Sequence, residues 1–216
     1  MAGDPLQVET LTTADGRCLM RVRLNAPDAL NALSHAMIAA LQEALERWAL
    51  DATVVGVFLE GAGDRAFCAG GDVVGATHEL RVAPGQVAAP AAEAFFAAEY
   101  RLDYTVHTFP KPIVCWGDGV VMGGGLGLLA GASHGVVTEH TRLAMPELPL
   151  GLIPDAGATF FLHRLPGRLG YFLGLTGETL AGADGFAAGL ADYAVAADQR
   201  EKAVAALTEQ PWGSSP

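Results

Sequence analysis

Two short runs of small residues could present backbone N–H groups to a ligand. One run is Arg65 to Val73, RAFCAGGDV, and the other is Gly119 to Gly127, GVVMGGGLG. Glycine and alanine do not block the approach of a ligand, and the first N–H groups of a helix opening after the glycines lack a partner inside it. Two such donors converging from different turns would form an oxyanion hole. Taken alone, each run is more often only a tight packing point.

Three carboxylates form the second set of candidates. Glu147 lies among apolar residues in AMPELPLG, where an ionised side chain is costly unless it is paired or functional. Asp155, in LIPDAG, also occupies the N-cap position of a helix predicted over Ala156 to Arg164, so a purely structural role has about equal weight. Glu99, in FFAAEYRLDY, is read from spacing alone as the polar side of a helix.

Several classes of site are not favoured by the sequence. The six histidines include no HxxxH or HxH spacing, and the three cysteines include no CxxC pair, so neither a metal site nor a disulfide scaffold is predicted. The sequence contains no GxSxG, no Walker A pattern and no GxGxxG register, which argues against a serine hydrolase, a P-loop NTPase and a dinucleotide enzyme.

Composition and charge narrow the choice of partners. The 216 residues are 51% hydrophobic and carry a formal net charge of −11, which opposes attraction to nucleic-acid phosphates and anionic membranes. The most apolar stretch, Val120 to Ala132, is shorter than a membrane-spanning helix and contains five glycines. The N-terminus shows no signal-peptide pattern, and the unpaired cysteines suit a reducing compartment, so we expect a cytoplasmic protein.

Local patterns predict alternating strands and helices. Asp15-Gly16, between two β-type stretches of residues 6 to 24, predicts an opening hairpin. Ser34 is a favourable N-cap ahead of apolar residues at helical spacing. The continuous apolar runs Thr53 to Leu59 and Ile113 to Trp116 are typical of strands buried on both faces. The chain therefore reads as repeated β-β-α units of one α/β domain.

The remaining segments complete one domain. Arg81 to Ala92 mixes proline, glycine and alanine without period, which predicts a loop or lid. Asp198 with Glu201 predicts a capping-box start to a final helix. We expect residues 1–205 to form the core, and residues 206–216 to form the end of the last helix and a frayed tail.

In their order along the chain, the motifs resemble those of the crotonase (enoyl-CoA hydratase/isomerase) superfamily. They are LNAPDALNALS at 24 to 34, RAFCAGGDV at 65 to 73, GVVMGGGLGL from Gly119, and AMPELPLGLIPDAG at 144 to 157. The resemblance extends over about residues 6 to 195. Within the superfamily, the run from Ala144 to Gly177 and the pair Glu99-Tyr100 look most like 3-hydroxyisobutyryl-CoA hydrolases.

The resemblance implies a crotonase-like α/β fold and assigns roles to matching positions. It implies that the backbone N–H groups of Gly71 and Gly124 form a thioester oxyanion hole and that coenzyme A passes near Ala69 and Gly71. It implies that Glu147 is the catalytic carboxylate. Glu99 and Asp155 match substrate-contacting carboxylates, with Asp155 assisting catalysis. The implied partner is a small acyl-CoA, with coenzyme A as part of the substrate and no separate cofactor; assembly into a homo-oligomer is left open.

Two departures from the family pattern decide between functions. Hydratases carry a glutamate where this chain has Gly127, which favours hydrolysis of a small 3-hydroxyacyl-CoA, such as 3-hydroxyisobutyryl-CoA, over hydration. The helical C-terminal region of the family is shortened here. Two alternatives therefore remain, an isomerase that uses Glu147 as a single base and a catalytically weak protein that binds CoA esters.

Overall fold

The computed structural model describes residues 3–72 and 90–212, and its elements alternate between strand and helix. The strands are β1 (Leu6–Thr12), β2 (Cys18–Leu24), β3 (Val54–Gly61), β4 (Ala66–Cys68), β5 (Ile113–Gly117), β6 (Val120–Met122), β7 (His134–Val137), β8 (Arg142–Ala144), β9 (Leu180–Ala181) and β10 (Tyr193–Ala194). The helices are α1 (His35–Leu50), α2 (Pro90–His107), α3 (Gly124–Gly131), α4 (Ala158–Phe161), α5 (Leu169–Thr176), α6 (Gly182–Ala188) and α7 (Arg200–Glu209). Residues 81–89 of the predicted loop, and residues 213–216 of the predicted tail, lie outside the described residues.

The strands form two sheets, and each repeating unit contributes one strand to each. In the first sheet the strand order is β1-β2-β3-β5-β7-β10, and in the second it is β4-β6-β8-β9. The units β3-β4-α2 and β5-β6-α3 follow each other along the chain, and β7-β8 continues the series. The sheet pairs are parallel except β1 with β2 and β8 with β9. The predicted β-β-α repeat is therefore confirmed.

The hairpin, the first helix and the buried strands agree with the predictions. β1 and β2 pair antiparallel around Gly16, whose φ of 80° suits glycine. The Ser34 side chain accepts a hydrogen bond from the N–H group of Met37 (3.2 Å), which caps α1. Thr53 itself precedes β3. The first six of the eight residues of β3 are buried hydrophobic residues or a buried glycine, so the strand is covered on both faces. Each large apolar side chain buried in this way stabilises the fold by about 1.5–3 kcal/mol.

A charged network holds α7 against the first sheet. Glu60 on β3 is fully buried and accepts hydrogen bonds from Arg21 Nε (2.6 Å), while Arg23 Nε lies 2.7 Å away. Arg21 also donates to Glu201 on α7 (2.9 Å). The predicted capping box is wrong, because α7 begins at Arg200 without a side-chain cap and Glu201 is engaged by Arg21 instead.

The helix predicted over Ala156 to Arg164 is also shorter than expected. It begins at Ala158, after Gly157 in a left-handed conformation (φ 81°), and ends at Phe161, where a 3₁₀ turn follows. The Asp155 side chain does not cap this helix. Within the part of the chain that the structure describes, no helix is long and apolar enough to cross a membrane.

Candidate active site

A buried asparagine fixes the turn that leads into the site. Asn31 lies in the left-handed region (φ 54°), and its Nδ2 donates to the carbonyl oxygens of Ala62 (2.9 Å) and Ala66 (2.8 Å). Its Oδ1 accepts from the N–H group of Ala26 (3.0 Å). The amide therefore ties the turn before α1 to the connection between β3 and β4, which leads directly to the first glycine run.

The first glycine turn is pinned on one side by Leu33. The N–H group of Leu33 donates to the carbonyl oxygen of Gly70 (2.8 Å), and the N–H group of Asp72 donates to the carbonyl oxygen of Leu33 (2.9 Å). In a parallel bridge of this kind, the N–H group of the central residue, Gly71, points away from Leu33. That N–H group is therefore free for another acceptor.

The second glycine turn lies directly against the first. A Cβ atom on Gly70 would lie 3.0 Å from the carbonyl oxygen of Met122 and 3.5 Å from the nitrogen of Gly124. Gly124 is the first residue of α3, so its N–H group has no partner inside the helix. Within residues 3–72 and 90–212, the structure contains no acceptor for the N–H groups of Gly71 and Gly124. The structure thus brings the two predicted donors into neighbouring turns.

Glu147 lies buried beside the second turn. Its side chain follows β8, is 6% exposed, and its Oε1 lies 3.0 Å from the position that a Cβ on Gly123 would take. Oε2 has no hydrogen-bond partner among the described residues. Burial raises the pKa of Glu147 to about 7, with its own backbone N–H opposing the shift and Asp155 adding to it. A carboxylate with a pKa near neutrality suits a general base.

Glu99 reaches the same place from α2. Its side chain is 2% exposed, and its Oε1 lies 3.1 Å from the Cβ position of Gly71. A Cβ on Gly124 would overlap the same oxygen. Burial, and then the charges of Asp155 and Glu147, raise the pKa of Glu99 to about 7. The interpretation of Glu99 as the polar side of a helix is therefore wrong.

The helical stripe of α2 explains that error. Phe95, Leu102 and Val106 are buried on α2, and Glu99 lies on the same stripe at helical spacing. A carboxylate in line with core residues is a signal that the sequence contains. Read as part of the stripe, Glu99 would have been predicted as buried.

Asp155 is partly buried and pairs with a neighbouring phenol. Its Oδ2 accepts a hydrogen bond from the hydroxyl group of Tyr100 (2.7 Å). Burial and this bond to Asp155 raise the pKa of Tyr100. The following residue, Ala156, has a positive φ of 44°, which is unfavourable for a residue other than glycine and marks a strained turn. The turn carries Asp155 toward α2.

Asp103 is a site residue that the sequence analysis missed. It follows Glu99 by one helical turn on α2, and both of its carboxylate oxygens are buried without a partner among the described residues. Burial, and then the charges of Glu99 and Asp155, raise its pKa to about 8. The signal was its spacing of four residues from Glu99 on one helix face.

Gly127 has a steric reason to be glycine. A Cβ there would lie 2.6 Å from the carbonyl oxygen of Ala156 and 3.2 Å from Oδ1 of Asp103. Backbone at that distance cannot yield to a side chain, so a glutamate at this position does not fit the present packing. The close contact between α3 and the turn of residues 155–157 therefore leaves no room for the second carboxylate that hydratases carry.

An open cleft of about 530 Å³ adjoins this cluster. Asp103, Gly127 and Asp155 line it together with Tyr100 and aromatic residues of α2 and α4. Neither the two donor glycines nor the two buried glutamates are among the residues that line it. The cleft is thus a neighbouring compartment on the Asp155 side of the cluster. Among the described residues, no group of three or more metal-ligating side chains could hold a metal ion.

Ala69 precedes the first glycine turn and is half-buried. Its N–H group donates to the carbonyl oxygen of Leu30 (3.0 Å) and is not available to a ligand. A contact of coenzyme A with Ala69 must therefore use its carbonyl oxygen or its methyl group.

Solved structures with the same architecture define the class of fold. The chain is similar to an enoyl-CoA hydratase from Rhodobacter sphaeroides, with a TM-score of 0.86 and 36% identity over 98% of this chain and 61% of the other. It is equally similar to a carnitinyl-CoA dehydratase from Mycobacterium thermoresistibile, with a TM-score of 0.86 and 40% identity over 95% and 58%. The fold is that of crotonases.

The family follows from the sequence match. A family model described as enoyl-CoA hydratase/isomerase matches residues 19–215, and the chain belongs to that family. It is 40% identical over 201 residues to a Xenopus tropicalis protein named 3-hydroxyisobutyryl-CoA hydrolase, mitochondrial, covering 90% of this chain and 51% of that protein. It is 39% identical over 216 residues to 3-hydroxyisobutyryl-CoA hydrolase-like protein 1, mitochondrial, of Arabidopsis thaliana, covering 98% and 52%. The predicted superfamily and subgroup resemblance are confirmed.

The comparisons also show how much of each relative the chain covers, and they correct the predicted location. The chain spans about half the length of these two relatives. The predicted cytoplasmic location is wrong: both relatives are named as mitochondrial, which points to mitochondria. The chain is also 39% identical over 175 residues to the small ribosomal subunit protein mS47 of Neurospora crassa. The match covers 81% of this chain and 34% of that protein.

Proposed function

We propose that the protein hydrolyses the thioester of a small 3-hydroxyacyl-CoA, with 3-hydroxyisobutyryl-CoA as the first substrate to test. The observation that supports this most is the convergence of Glu147 with the free N–H groups of Gly71 and Gly124. Thioester hydrolysis requires one carboxylate and an oxyanion hole, and it does not require a second carboxylate at Gly127. The names of the relatives at about 40% identity supply the substrate class.

In the general-base route, Glu147 takes a proton from water as the water oxygen bonds to the thioester carbonyl carbon. The carbonyl electron pair moves onto oxygen, where the N–H groups of Gly71 and Gly124 stabilise it. The carbon–sulfur bond then breaks, and the sulfur of coenzyme A receives the proton from Glu147. In the nucleophilic route, a Glu147 oxygen bonds to the carbonyl carbon, the carbon–sulfur bond breaks, and coenzyme A leaves as a thiolate that takes a proton from solvent. Water then hydrolyses the resulting anhydride to the free acid and the Glu147 carboxylate.

A thiol-release assay on a panel of acyl-CoA esters tests the proposal. We expect free coenzyme A from 3-hydroxyisobutyryl-CoA and no addition of water to crotonyl-CoA. Isomerisation of an enoyl-CoA without thiol release would instead favour the reading in which Glu147 shuttles a proton alone. Brisk crotonyl-CoA hydration without thiol release would refute hydrolysis.

Isotope label in Glu147 would identify the nucleophilic route. A single turnover in ¹⁸O-labelled water leaves the label in Glu147 when water attacks the glutamyl carbonyl of an anhydride. In the general-base route the label enters only the acid product. Mass spectrometry of the peptide that contains Glu147 gives the answer.

Binding of CoA esters without turnover is a second candidate. It is favoured by the similarity to a relative that is named as a ribosomal subunit protein. Calorimetric binding of 3-hydroxyisobutyryl-CoA with no release of thiol and no isomerisation would support it.

A further inference from the structure

We propose that Glu99 is a third oxyanion donor, whose protonated carboxyl group donates a hydrogen bond to the thioester carbonyl oxygen alongside the N–H groups of Gly71 and Gly124. The proposal rests on the thioester hydrolysis proposed above. It gives Glu99 a role at the reacting atoms, whereas the sequence resemblance implies only a contact with the substrate.

The position of Glu99 carries the proposal. Its Oε1 borders both donor glycines, at 3.1 Å from the Cβ position of Gly71 and in overlap with that of Gly124. The ring of Phe95 and a methyl group of Leu33 border the same two glycines, at 3.0 Å and 3.3 Å from their Cβ positions. Oε1 therefore lies beside both donor glycines and against apolar side chains.

The hydrogen bonding of that oxygen is incomplete. Oε1 is buried and has no partner among the residues that the structure describes. A buried carboxyl oxygen without a partner is unfavourable, and the cost disappears when a ligand atom completes the bond. A ligand oxygen held by the two glycines is within the reach of this group.

The charges that face Glu99 favour its neutral form. They come from Asp155 and then from Glu147, which both follow β8. Asp103 on the same helix and the buried thiol of Cys68 also lie close to Glu99, whose charge raises the pKa of both. None of these groups is a cation. With burial as the main cause, the pKa of Glu99 rises to about 7, so a large fraction is protonated near neutral pH.

Glu147 differs from Glu99 in one contact. The carboxylate of Glu147 receives a hydrogen bond from its own backbone N–H, which favours its ionised form. No such bond acts on Glu99, so the ionised form is favoured more at Glu147 than at Glu99. The two glutamates can then act as a base and as a neutral donor in the same state of the site. An ionised Glu99 would repel the oxyanion that Gly71 and Gly124 stabilise.

Hydrolysis leaves Glu99 in the same protonation state at the end of the reaction as at its start. Attack of water on the carbonyl carbon moves an electron pair onto the carbonyl oxygen, which accepts a stronger hydrogen bond from Glu99. When the tetrahedral intermediate collapses, the carbon–sulfur bond breaks and the electron pair leaves with sulfur. Glu99 keeps its proton throughout, and Glu147 supplies the proton that coenzyme A takes up.

Two substitutions at Glu99 test the role through the pH profile of kcat. Glu99→Gln keeps a neutral donor at every pH, whereas Glu99→Leu removes the donor and fills the same space with an apolar side chain. We expect wild-type kcat to fall above about pH 7 as Glu99 ionises, and Glu99→Gln to stay within about 10-fold of wild type without this alkaline decline. Glu99→Leu should lose about 10²-fold or more. Glu93→Gln, an exposed change on the same helix, should behave as wild type.

Some outcomes would overturn the proposal. A Gln variant as inactive as the Leu variant would show that the charge of Glu99 is needed, and a retained alkaline decline in the Gln variant would assign it to another group. The melting temperature of each variant is recorded. Should Glu99→Leu fail to fold, the comparison of Glu99→Gln with wild type across pH decides alone.

An infrared measurement separates this proposal from the proposed function. The probe is a ketone analogue of 3-hydroxyisobutyryl-CoA in which a methylene group replaces the thioester sulfur, so it cannot be hydrolysed. We expect its carbonyl stretch to shift to lower frequency on binding, less so at pH 9 than at pH 6 in wild type, and equally at both in Glu99→Gln. An unchanged shift in a folded Glu99→Leu would refute the donor role. The expected shifts without thiol release from the true ester would support the donor role and refute hydrolysis.

Discussion

Replacing Asp103 by asparagine should stabilise the protein at alkaline pH and change it little at acid pH. Asparagine has nearly the same shape as aspartate and does not ionise, so the substitution removes only the buried charge. Both Asp103 oxygens are buried without a partner in the described part of the chain. An ionised carboxyl in that position is unfavourable because nothing replaces the water it has lost.

The direction follows from proton binding. The pKa of Asp103 is raised from 3.8 to about 8 in the folded protein, so the unfolded chain releases this proton first as the pH rises. The folded state is therefore favoured by this group below about pH 4, and that advantage is lost progressively until about pH 8. Asparagine shows no such loss.

The size of the effect comes from the same shift. About four pKa units at 1.36 kcal/mol each give an upper limit of roughly 6 kcal/mol between acid and alkaline pH. Relaxation and water penetration at a site that adjoins an open cleft reduce this figure, and we expect about 2 kcal/mol between pH 5 and pH 8. For a chain of this size, 1 kcal/mol shifts the melting temperature by about 2–4 °C.

Thermal unfolding of wild type and Asp103→Asn at pH 5 and pH 8 is the assay. We expect the melting temperature of the variant to gain about 4–8 °C more at pH 8 than at pH 5. Asp64→Asn, an exposed change in the turn between β3 and β4, is the matched control and should show no such difference. An equal change at both pH values, or a loss of stability at pH 8, would refute the assignment of a buried, proton-retaining Asp103.

Three further predictions concern the base, the glycines of α3 and the charged network. Glu147→Gln should lower kcat by about 10²-fold or more while CoA-ester affinity measured by calorimetry stays near that of wild type. Gly127→Ala should lower the free energy of unfolding by about 1–3 kcal/mol, because the added Cβ would contact the carbonyl oxygen of Ala156. Gly131→Ala should be neutral or stabilising by up to about 1 kcal/mol, because the nearest atom to its added Cβ would be 3.7 Å away. Arg21→Met should cost about 1.5–3 kcal/mol in urea unfolding, because it removes the hydrogen bonds from Arg21 to the buried Glu60, which keeps Arg23 as a partner.

The parts of the fold that could be predicted are those that local chemistry determines. The hairpin at Asp15-Gly16 and the cap at Ser34 depend on turn and capping preferences of a few residues. The repeat of β-β-α units follows from apolar runs closed by turns. The observed helix after Asp155 is shorter than the predicted one because Ala156 and Gly157 both adopt a positive φ, which delays its start to Ala158.

The site is less accessible to sequence reasoning because distant segments build it. Tyr100 and Asp155 are 55 residues apart and yet share a hydrogen bond. The two donor glycines were identified by composition and family resemblance, but their placement in adjoining turns depends on the packing of Gly70 against the turn at Gly123. Glu99 shares the buried stripe of α2, but the α2 sequence does not reveal that Gly71 and Gly124 are the residues packed against it.

The close approach of α2 and α3 links the glycines to the acids. Glu99 lies over Gly124 and Asp103 lies over Gly127, so two acids one turn apart on α2 fit against two glycines one turn apart on α3. A side chain at Gly124 would meet the carboxyl group of Glu99, and a side chain at Gly127 would meet the backbone of Ala156 and then the carboxyl group of Asp103. Substitutions at these four positions should therefore not combine additively, because each changes the same helix contact. The absence of side chains at Gly124 and Gly127 is thus a condition for the burial, and so for the raised pKa values, of Glu99 and Asp103.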